Sequence, residues 1–449
     1  MNNRCVTLGS CLRQYRDEIW VDDAKDYGQI TVSSTGTISH RGTKSGGAIG
    51  RKRQFVVNLK THPNTLIFTR QGIYDGAIGF APPDTDGCIA TENMPLFSLK
   101  PGISREYIEQ LLLSPVFKSE VKKLAPKGAA QKSIHERELL DVSIPLPPLE
   151  SQIAIAEAVA KERQIVGLLQ NEIAHQQSLL AKLKQAILQE SIAGKLTADW
   201  RAAQPDVEPA SQLLHHIQAE KARLIAAKKL RPEKPLPKIS PAEIPFEIPK
   251  GWEWCRMGAA GIFQRGKSKH RPRNDPHLFE NGDIPFVQTG DVARSKRNGF
   301  MIKTSTGYYN AVGLAQSRLW PDGTMCITIA ANIAETGFLT FPACIPDSVV
   351  AFTPAVEGKT PQFLRMFIEL TRTAIEQFAP ATAQKNINLE IINELMLPLP
   401  PLAEQAAIVE RVEALMSTCR ALESEIEQAR THAANLLQAV LKEAFATQD

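Results

Sequence analysis

Residues 131–159 read QKSIHERELLDVSIPLPPLESQIAIAEAV, and residues 384–412 read QKNINLEIINELMLPLPPLAEQAAIVERV. The second stretch repeats the first without a gap, since 384 less 131 and 412 less 159 both give 253. An internal repeat takes precedence over local readings, because missing one misassigns the whole fold. Pro145, Leu146, Pro147, Pro148, Leu149 and Gln152 fall on Pro398, Leu399, Pro400, Pro401, Leu402 and Gln405. Proline fixes φ and cannot donate to a strand ladder, so PLPP reads as a rigid exit from a globular head. Beyond each exit the apolar spacing turns helical. Ile155, Val159, Val166, Leu169, Ile173, Leu180, Leu183 and Ile187 alternate at three and four, with Glu162 and Gln176 interrupting. The second copy supplies Ile408, Val412, Cys419, Leu422, Ile426, Ala433, Leu436 and Val440, with Leu415 and Ala429 at the interruptions. Seams sustained over several heptads require another helix to pack against. Two in one register make the helices partners, with Ile155, Val159, Leu169, Leu180, Leu183, Ile408, Val412, Leu422 and Leu436 as expected contacts. Each helix is expected to run ~40 residues, roughly 60 Å.

Outward from this repeat, 449 residues leave room for two or three domains with cores of their own. A hydrophobic content of 43% and a charged content of 22% are those of a soluble globular protein. No run of about 18 apolar residues occurs, so no membrane partner is expected. The N-terminal MNNRCVTLGSCLRQ lacks the apolar core of a secretory signal. Seven cysteines are scattered without a C-x-x-C pair, which fits a reducing cytoplasm rather than a zinc site or disulfide framework. The net charge of +4 is too modest to indicate nucleic acid by itself.

Residues 1–150 are expected to form a first head of short strands in a largely antiparallel, twisted sheet, with a helix over 104–124. Its cations concentrate on a glycine-rich stretch, where Arg41, Lys44, Arg51, Lys52 and Arg53 would neutralise phosphates. Arg70, Gln71 and Tyr74 follow a strand end, and Arg and Gln suit guanine and adenine edges in a major groove. The first long helix is assigned to 151–200. A proline-rich connector, 201–250, brackets an amphipathic helix at 210–230. The second head, 251–402, has its own basic loop with Arg265, Lys267, Lys269, Arg271 and Arg273, followed by Gln288, Thr289, Arg294, Lys296 and Arg297. These are the second head's candidate DNA contacts, and a helix over 361–378 precedes the repeat. Residues 403–449 form the second long helix.

Gly261–Ser268 satisfies the phosphate-loop pattern G-x-x-x-x-G-K-[ST]. That motif needs a helix starting at its lysine. Pro272 and Pro276 follow too closely for one, so no ATP site is expected. A methyltransferase acting on an exocyclic amine would carry an N/D-P-P-aromatic turn, and none is present. No nuclease, Ser/His/Asp or metal-ligand grouping stands out. The expectation is a reader without catalytic residues, metal or cofactor of its own.

A head, then IPLPPLxEQ, then a long helix, all repeated, resembles the specificity subunit family of type I restriction-modification systems. Residues 185–201, QAILQESIAGKLTADWR, and 244–254, IPFEIPKGWEW, extend the resemblance over essentially the whole chain, with loosely matching heads. It implies an α+β fold in which two target recognition domains are separated by two long antiparallel coiled-coil helices. The duplication implies an approximate two-fold that presents both heads to one DNA duplex. GTKSGGAIGRKR and QRGKSKHRPR differ, so the implied target is bipartite and non-palindromic with an unread spacer. The implied partners are double-stranded DNA, two modification (adenine N6 methyltransferase) subunits carrying S-adenosylmethionine, and restriction (translocase) subunits using ATP and Mg. Adenine would flip into the methyltransferase pocket. The implied setting is cytoplasmic phage defence. Alternatives are a split-site reader of another defence system, a coiled-coil adaptor without DNA, and a methyltransferase or ATPase acting alone.

Overall fold

The computed structural model describes residues 5–124, 133–270, 272–377 and 387–446, so Arg271 and the first residues of both repeat copies, Gln131 and Gln384, lie outside it. The chain forms two compact units, Met1–Gln176 with Glu425–Asp449, and Gln177–Ser424.

In the first unit the strands are β1 (Cys5–Thr7), β2 (Leu12–Tyr15), β3 (Glu18–Trp20), β4 (Asp26–Val32), β5 (Ile38–Ser45), β6 (Arg53–Val56), β7 (Thr65–Phe68), β8 (Ile78–Phe80), β9 (Ile89–Ala90), β10 (Leu96–Leu99) and β11 (Ser143–Pro145). Its helices are α1 (Leu8–Cys11), α2 (Arg105–Leu113), α3 (Pro115–Lys123), α4 (Glu136–Leu140) and the start of α5 (Leu149–Ile192). An antiparallel sheet has the order β2-β10-β7-β8, and a mixed sheet, in which β4 runs parallel to β9, has the order β3-β6-β9-β4-β5. All four residues of β7 are buried, as a central strand covered on both faces requires. The expected helix over 104–124 is two helices, because Ser114 caps α3 by accepting from Phe117 N while Pro115 occupies its first position. The basic glycine-rich stretch is not simply a loop. Its first part is β5, paired along β4, and Arg41 is the extra residue of a bulge between Gly42 (φ +119°), which faces Gln29, and His40, which faces Ile30.

The second unit contains β12 (Glu253–Arg256), β13 (Ile262–Arg265), β14 (Ile284–Phe286), β15 (Met301–Ile302), β16 (Gly307–Tyr309), β17 (Leu319–Trp320), β18 (Met325–Thr328), β19 (Thr336–Leu339), β20 (Ala343–Cys344), β21 (Val349–Thr353) and β22 (Met396–Leu399). Its helices are α6 (Ala198–Ala203), α7 (Ala210–Ala226), α8 (Thr289–Arg294), α9 (Ala311–Ala315), α10 (Thr360–Gln377), α11 (Leu389–Glu394) and the start of α12 (Leu402–Ala444). The sheet order β13-β21-β18-β19-β15 repeats the first unit's frame. Even the register is kept. Tyr15 faces Leu96 as Arg265 faces Val350, and Leu66 faces Phe97 as Cys326 faces Ala351. The other sheets differ: β16-β14-β20-β17 here, against the five-stranded sheet of the first head.

The repeated motif builds the same joint in each unit. Leu8 N donates to Val142 O at 2.8 Å, and Met257 N to Leu395 O at 2.8 Å. Gln152 Nε2 donates to Pro147 O (2.8 Å) and its Oε1 accepts from Ser104 N (2.9 Å) at the start of α2. Gln405 does the same with Pro400 O (2.9 Å) and Thr360 Oγ1 (2.7 Å) at the start of α10. Both glutamines are buried, so each ties its proline exit to its head through an amide bonded at both its nitrogen and its oxygen. The prolines do not wait for the strand to end: Pro145 pairs with Cys5 and Pro398 with Trp254. Two-stranded ladders tolerate them because the missing N–H faces no third strand.

Within the second unit Glu404, 1% exposed, accepts from Trp252 Nε1 (2.8 Å), Thr197 Oγ1 (2.7 Å) and Arg201 Nη1 (2.5 Å). One carboxylate thus gathers the GKLTADWR and GWEW segments onto the head of α12.

α5 and α12 are 44 and 43 residues long. The start of α5 shares a core with Leu441 and Phe445 in the first unit, and Lys184 near its end meets Glu423 in the second, so the helices run antiparallel. The buried seam is narrower than the sequence predicts. Val159, Val166, Ile173, Leu180 and Ile187, one position per heptad, are buried, as are Ile408, Val412, Cys419 and Ala433. Leu169 and Leu183 are 42% and 46% exposed, and their repeat counterparts Leu422 and Leu436 are 40% and 49% exposed. Ile155 is half-buried beside the first head's core.

Candidate nucleic-acid interface

The hairpin loop after the central strand is pinned alike in both heads. Arg70 N donates to Asn93 O (3.1 Å), and Arg70 O accepts from Ile134 N (2.9 Å). Ile329 N donates to Ser348 O (3.0 Å), and Ile329 O accepts from Ile387 N (2.9 Å). Arg70 and Ile329 are therefore structural equivalents. Ile134 and Ile387 are a repeat pair, and so are the next-but-one residues Glu136 and Leu389.

In the first head most of the expected cations have resident anions. Arg51 reaches Glu92 at 2.7 Å, Arg53 reaches Glu18 at 2.7 Å, Lys52 pairs with Asp23, and Arg70 pairs with Glu136 at 2.5 Å. Burial pushes the Glu136 carboxyl up, but its bond from Arg70 and the nearby cations outweigh that and hold it below the usual carboxylate range. The hydrogen bond from Arg53 holds Glu18 down as well. Arg70, Arg53 and Arg16 line a cleft of about 70 Å³ together with Glu92 and Glu136. The charge pattern did not single out Arg16 or the carboxylates, since nothing in a linear sequence places residues 16, 53, 70, 92 and 136 together. Tyr74 donates its hydroxyl to Leu124 O at 2.6 Å, a bond within the head, and Gln71 lies exposed in the turn. Arg41, at the β5 bulge, and Lys44 are exposed, with no protein partner for their charges among the described residues.

In the second head Arg265 and Arg273 converge on Asp347, through its carbonyl oxygen and its carboxylate (2.7 Å) respectively. Lys267 lies between them in an extended segment, where its N–H bonds Ile345 O at 3.1 Å and no helix begins. The glycines of the phosphate-loop pattern answer to packing instead. A Cβ on Gly266 would lie 2.2 Å from Pro346 O, and one on Gly261 2.3 Å from the Phe352 ring. Lys269 is exposed, and its N–H is held by Gln316 Oε1 at 2.6 Å. Gln288 and Thr289 open α8, with Gln288 N bonded to Asp291 Oδ2 at 2.8 Å, so both sit in a helix cap. Arg294 pairs with the buried Asp291, Lys296 with Glu369 at 3.4 Å, and Arg297 is exposed in the following turn. Val287 N bonds Cys344 O next to the Lys267 contact, so the two basic segments flank one strand end.

Among the described residues no His, Cys, Asp and Glu cluster could hold a metal ion, and no helix is long and apolar enough to cross a membrane.

Residues 249–429 match the model of the type I restriction modification DNA specificity domain. The Escherichia coli type I restriction enzyme EcoAI specificity subunit is 29% identical over 272 residues, 58% of this chain and 43% of the relative. The Escherichia coli EcoEI specificity subunit is 25% identical over 389 residues, 75% of this chain and 64% of the relative. The matches thus span less than two thirds of these two relatives. Among solved structures, a chain of a type I restriction-modification system aligns with TM-score 0.66 and 20% identity, covering 98% of this chain and 97% of that one. The HsdS subunit of Thermoanaerobacter tengcongensis aligns with TM-score 0.57 and 21% identity, covering 98% and 96%. At those identities the alignments speak to the fold. Residues 249–429 thus match the type I restriction modification DNA specificity domain, and the chain is similar beyond them to type I restriction enzyme specificity subunits.

Proposed function

We propose that this chain is the non-catalytic DNA specificity subunit of a type I restriction-modification complex, reading a bipartite, non-palindromic target. The observation that carries this reading is the pair of heads with one sheet frame in one register and different residues at the equivalent pinned loop, Arg70 in one and Ile329 in the other. A common frame gives both heads a common way to meet a duplex, and different side chains make the two half-sites different. Exposed Arg41, Lys44, Lys269 and Arg297, with half-buried Lys267, contact phosphates, which position the protein, while base edges are read by residues set deeper. Two adenine N6 methyltransferase subunits dock on α5 and α12, where Leu169, Leu183, Leu422 and Leu436 stand exposed at repeat-equivalent places. Those partners carry S-adenosylmethionine. Restriction subunits bring ATP and Mg to the same cytoplasmic assembly.

Single-molecule methylation mapping of DNA from cells expressing this chain with its methyltransferase tests the reading. A split motif with N6-methyladenine in each half is the expected result. An assembled complex that leaves no methylation overturns it.

A further inference from the structure

The two heads act as internal controls for one another, and they differ most pointedly at the equivalent positions Arg70 and Ile329. Where the first head has Arg70 bonded to Glu136, the second has Ile329 and Leu389. The loop is pinned by the same backbone bonds in both, so the fold does not require an ion pair at this place. A half-buried pair is in any case weak evidence of a stabilising role, because apolar residues of similar size often serve as well. The side chains of Arg70 and Glu136 are 23% and 16% exposed, enough for the guanidinium fork to be reached from solvent. Arg70 Nε and Arg53 Nε are buried without a hydrogen-bond acceptor, so donors remain unused on both guanidiniums. The cleft they share with Arg16, Glu92 and Glu136 has a volume of about 70 Å³, room for on the order of two waters. Three guanidiniums face two carboxylates there. An arginine fork fits a planar pair of acceptors, and a carboxylate that already occupies it holds the fork in shape until another acceptor pair replaces it.

We propose that this cleft takes a pair of hydrogen-bond acceptors of the DNA, with Arg70 as the principal donor and Glu136 as the resident stand-in that the DNA displaces. The acceptors are the O6/N7 edge of a guanine or two oxygens of a phosphate. The second head has no counterpart to the Arg70–Glu136 pair, so the contact belongs to one half of the target. The inference rests on the DNA-specificity reading given above.

The protein itself supplies the test variant. Arg70→Ile with Glu136→Leu installs the residues of the other head, and the complex of the full chain with its methyltransferase is compared with wild type. The probes are a duplex carrying the mapped target and a scrambled duplex of equal length, over a range of salt. The complex is expected to assemble normally and to bind the target ten- to a hundredfold more weakly. If the acceptor is guanine, binding to the scrambled duplex is unchanged and the methylation map relaxes at one position in one half. If it is phosphate, both duplexes bind more weakly and the slope of log affinity against log salt shrinks by about one. Wild-type affinity for both duplexes overturns the proposal. Should the apolar pair disturb folding, Arg70→Met with Glu136→Gln removes both charges at similar volume and is read the same way. A wild-type complex that shows no preference for the mapped target counts instead against the specificity reading.

Discussion

Charged side chains that look alike in the sequence fall into two groups once their neighbours are known. Arg51, Lys52, Arg53, Arg265, Arg273, Arg294 and Lys296 are engaged by the protein's own oxygens, whereas Arg41, Lys44 and Lys267 have no such partner for their charges among the described residues. Charge reversal at Lys44 or Lys267 is therefore expected to leave thermal stability unchanged within about 0.5 kcal/mol. Affinity for target and scrambled duplexes should fall together, with a shallower salt dependence, as titrations at several salt concentrations would read. The repeat-matched glutamines behave in the opposite way. Gln152→Ala or Gln405→Ala strands buried donors and acceptors at a head–helix joint and is expected to cost about 1–3 kcal/mol in denaturant unfolding. Glu404→Ala removes the acceptor of three donors, Arg201 among them, and should cost more, on the order of 3–5 kcal/mol. An equal, negligible effect of all three changes would show that the joints are not held this way.

On the scale of elements, α5 and α12 were legible as a pair from apolar spacing alone, yet the spacing overstated the width of the seam. Alternate three-and-four positions describe two stripes per helix, and one stripe is buried while Leu169, Leu183, Leu422 and Leu436 are left at the surface. Truncating the buried stripe, as in Ile173→Ala, is expected to destabilise by about 2–5 kcal/mol, because a cavity remains where packing was tight. Leu169→Asp together with Leu422→Asp should leave the unfolding midpoint close to wild type and weaken methyltransferase association, measurable by co-purification and sedimentation. A large loss of stability with association intact would place those leucines inside the fold instead. The strands were less legible than the helices. The basic stretch after Ile38 reads as a loop by its glycines, but pairing with β4 recruits it into a ladder, and a bulge at Arg41 beside Gly42 absorbs the irregularity. Local composition cannot report a partner strand.

For the whole molecule, acid is the informative condition. Glu136 is held below its ordinary range by Arg70 against the effect of burial, Asp199 by its bond from Arg411, and Glu243 is lowered to about 2 by backbone and side-chain bonds from Ser240 and by Arg256. Folded-state values below the unfolded ones mean that the stabilisation is complete above about pH 4.5 and is lost as pH falls towards 2. The thermal midpoint should be flat from pH 8 to about 5 and decline below about 4.5; a midpoint that rises with acid would contradict these pairings. Replacing residues 1–150 by the corresponding part of a relative should change one half of the methylated motif and leave the other, if each head reads its own half-site.

The sequence by itself determined the duplication, the two long helices, the basic segments and the absence of a phosphate-loop helix. Each of these depends on local periodicity or on proline, whose effects act within a few residues. Tertiary structure alone decided which cations have partners, that Gln152, Gln405 and Glu404 lock the joints, and that Arg70 stands where the other head has Ile329. Those facts depend on hydrogen bonds between residues far apart in the chain, backbone ones such as Ile134 to Arg70 and side-chain ones such as Trp252 to Glu404. Chain folding brings such residues into contact, and no spacing along the chain records it.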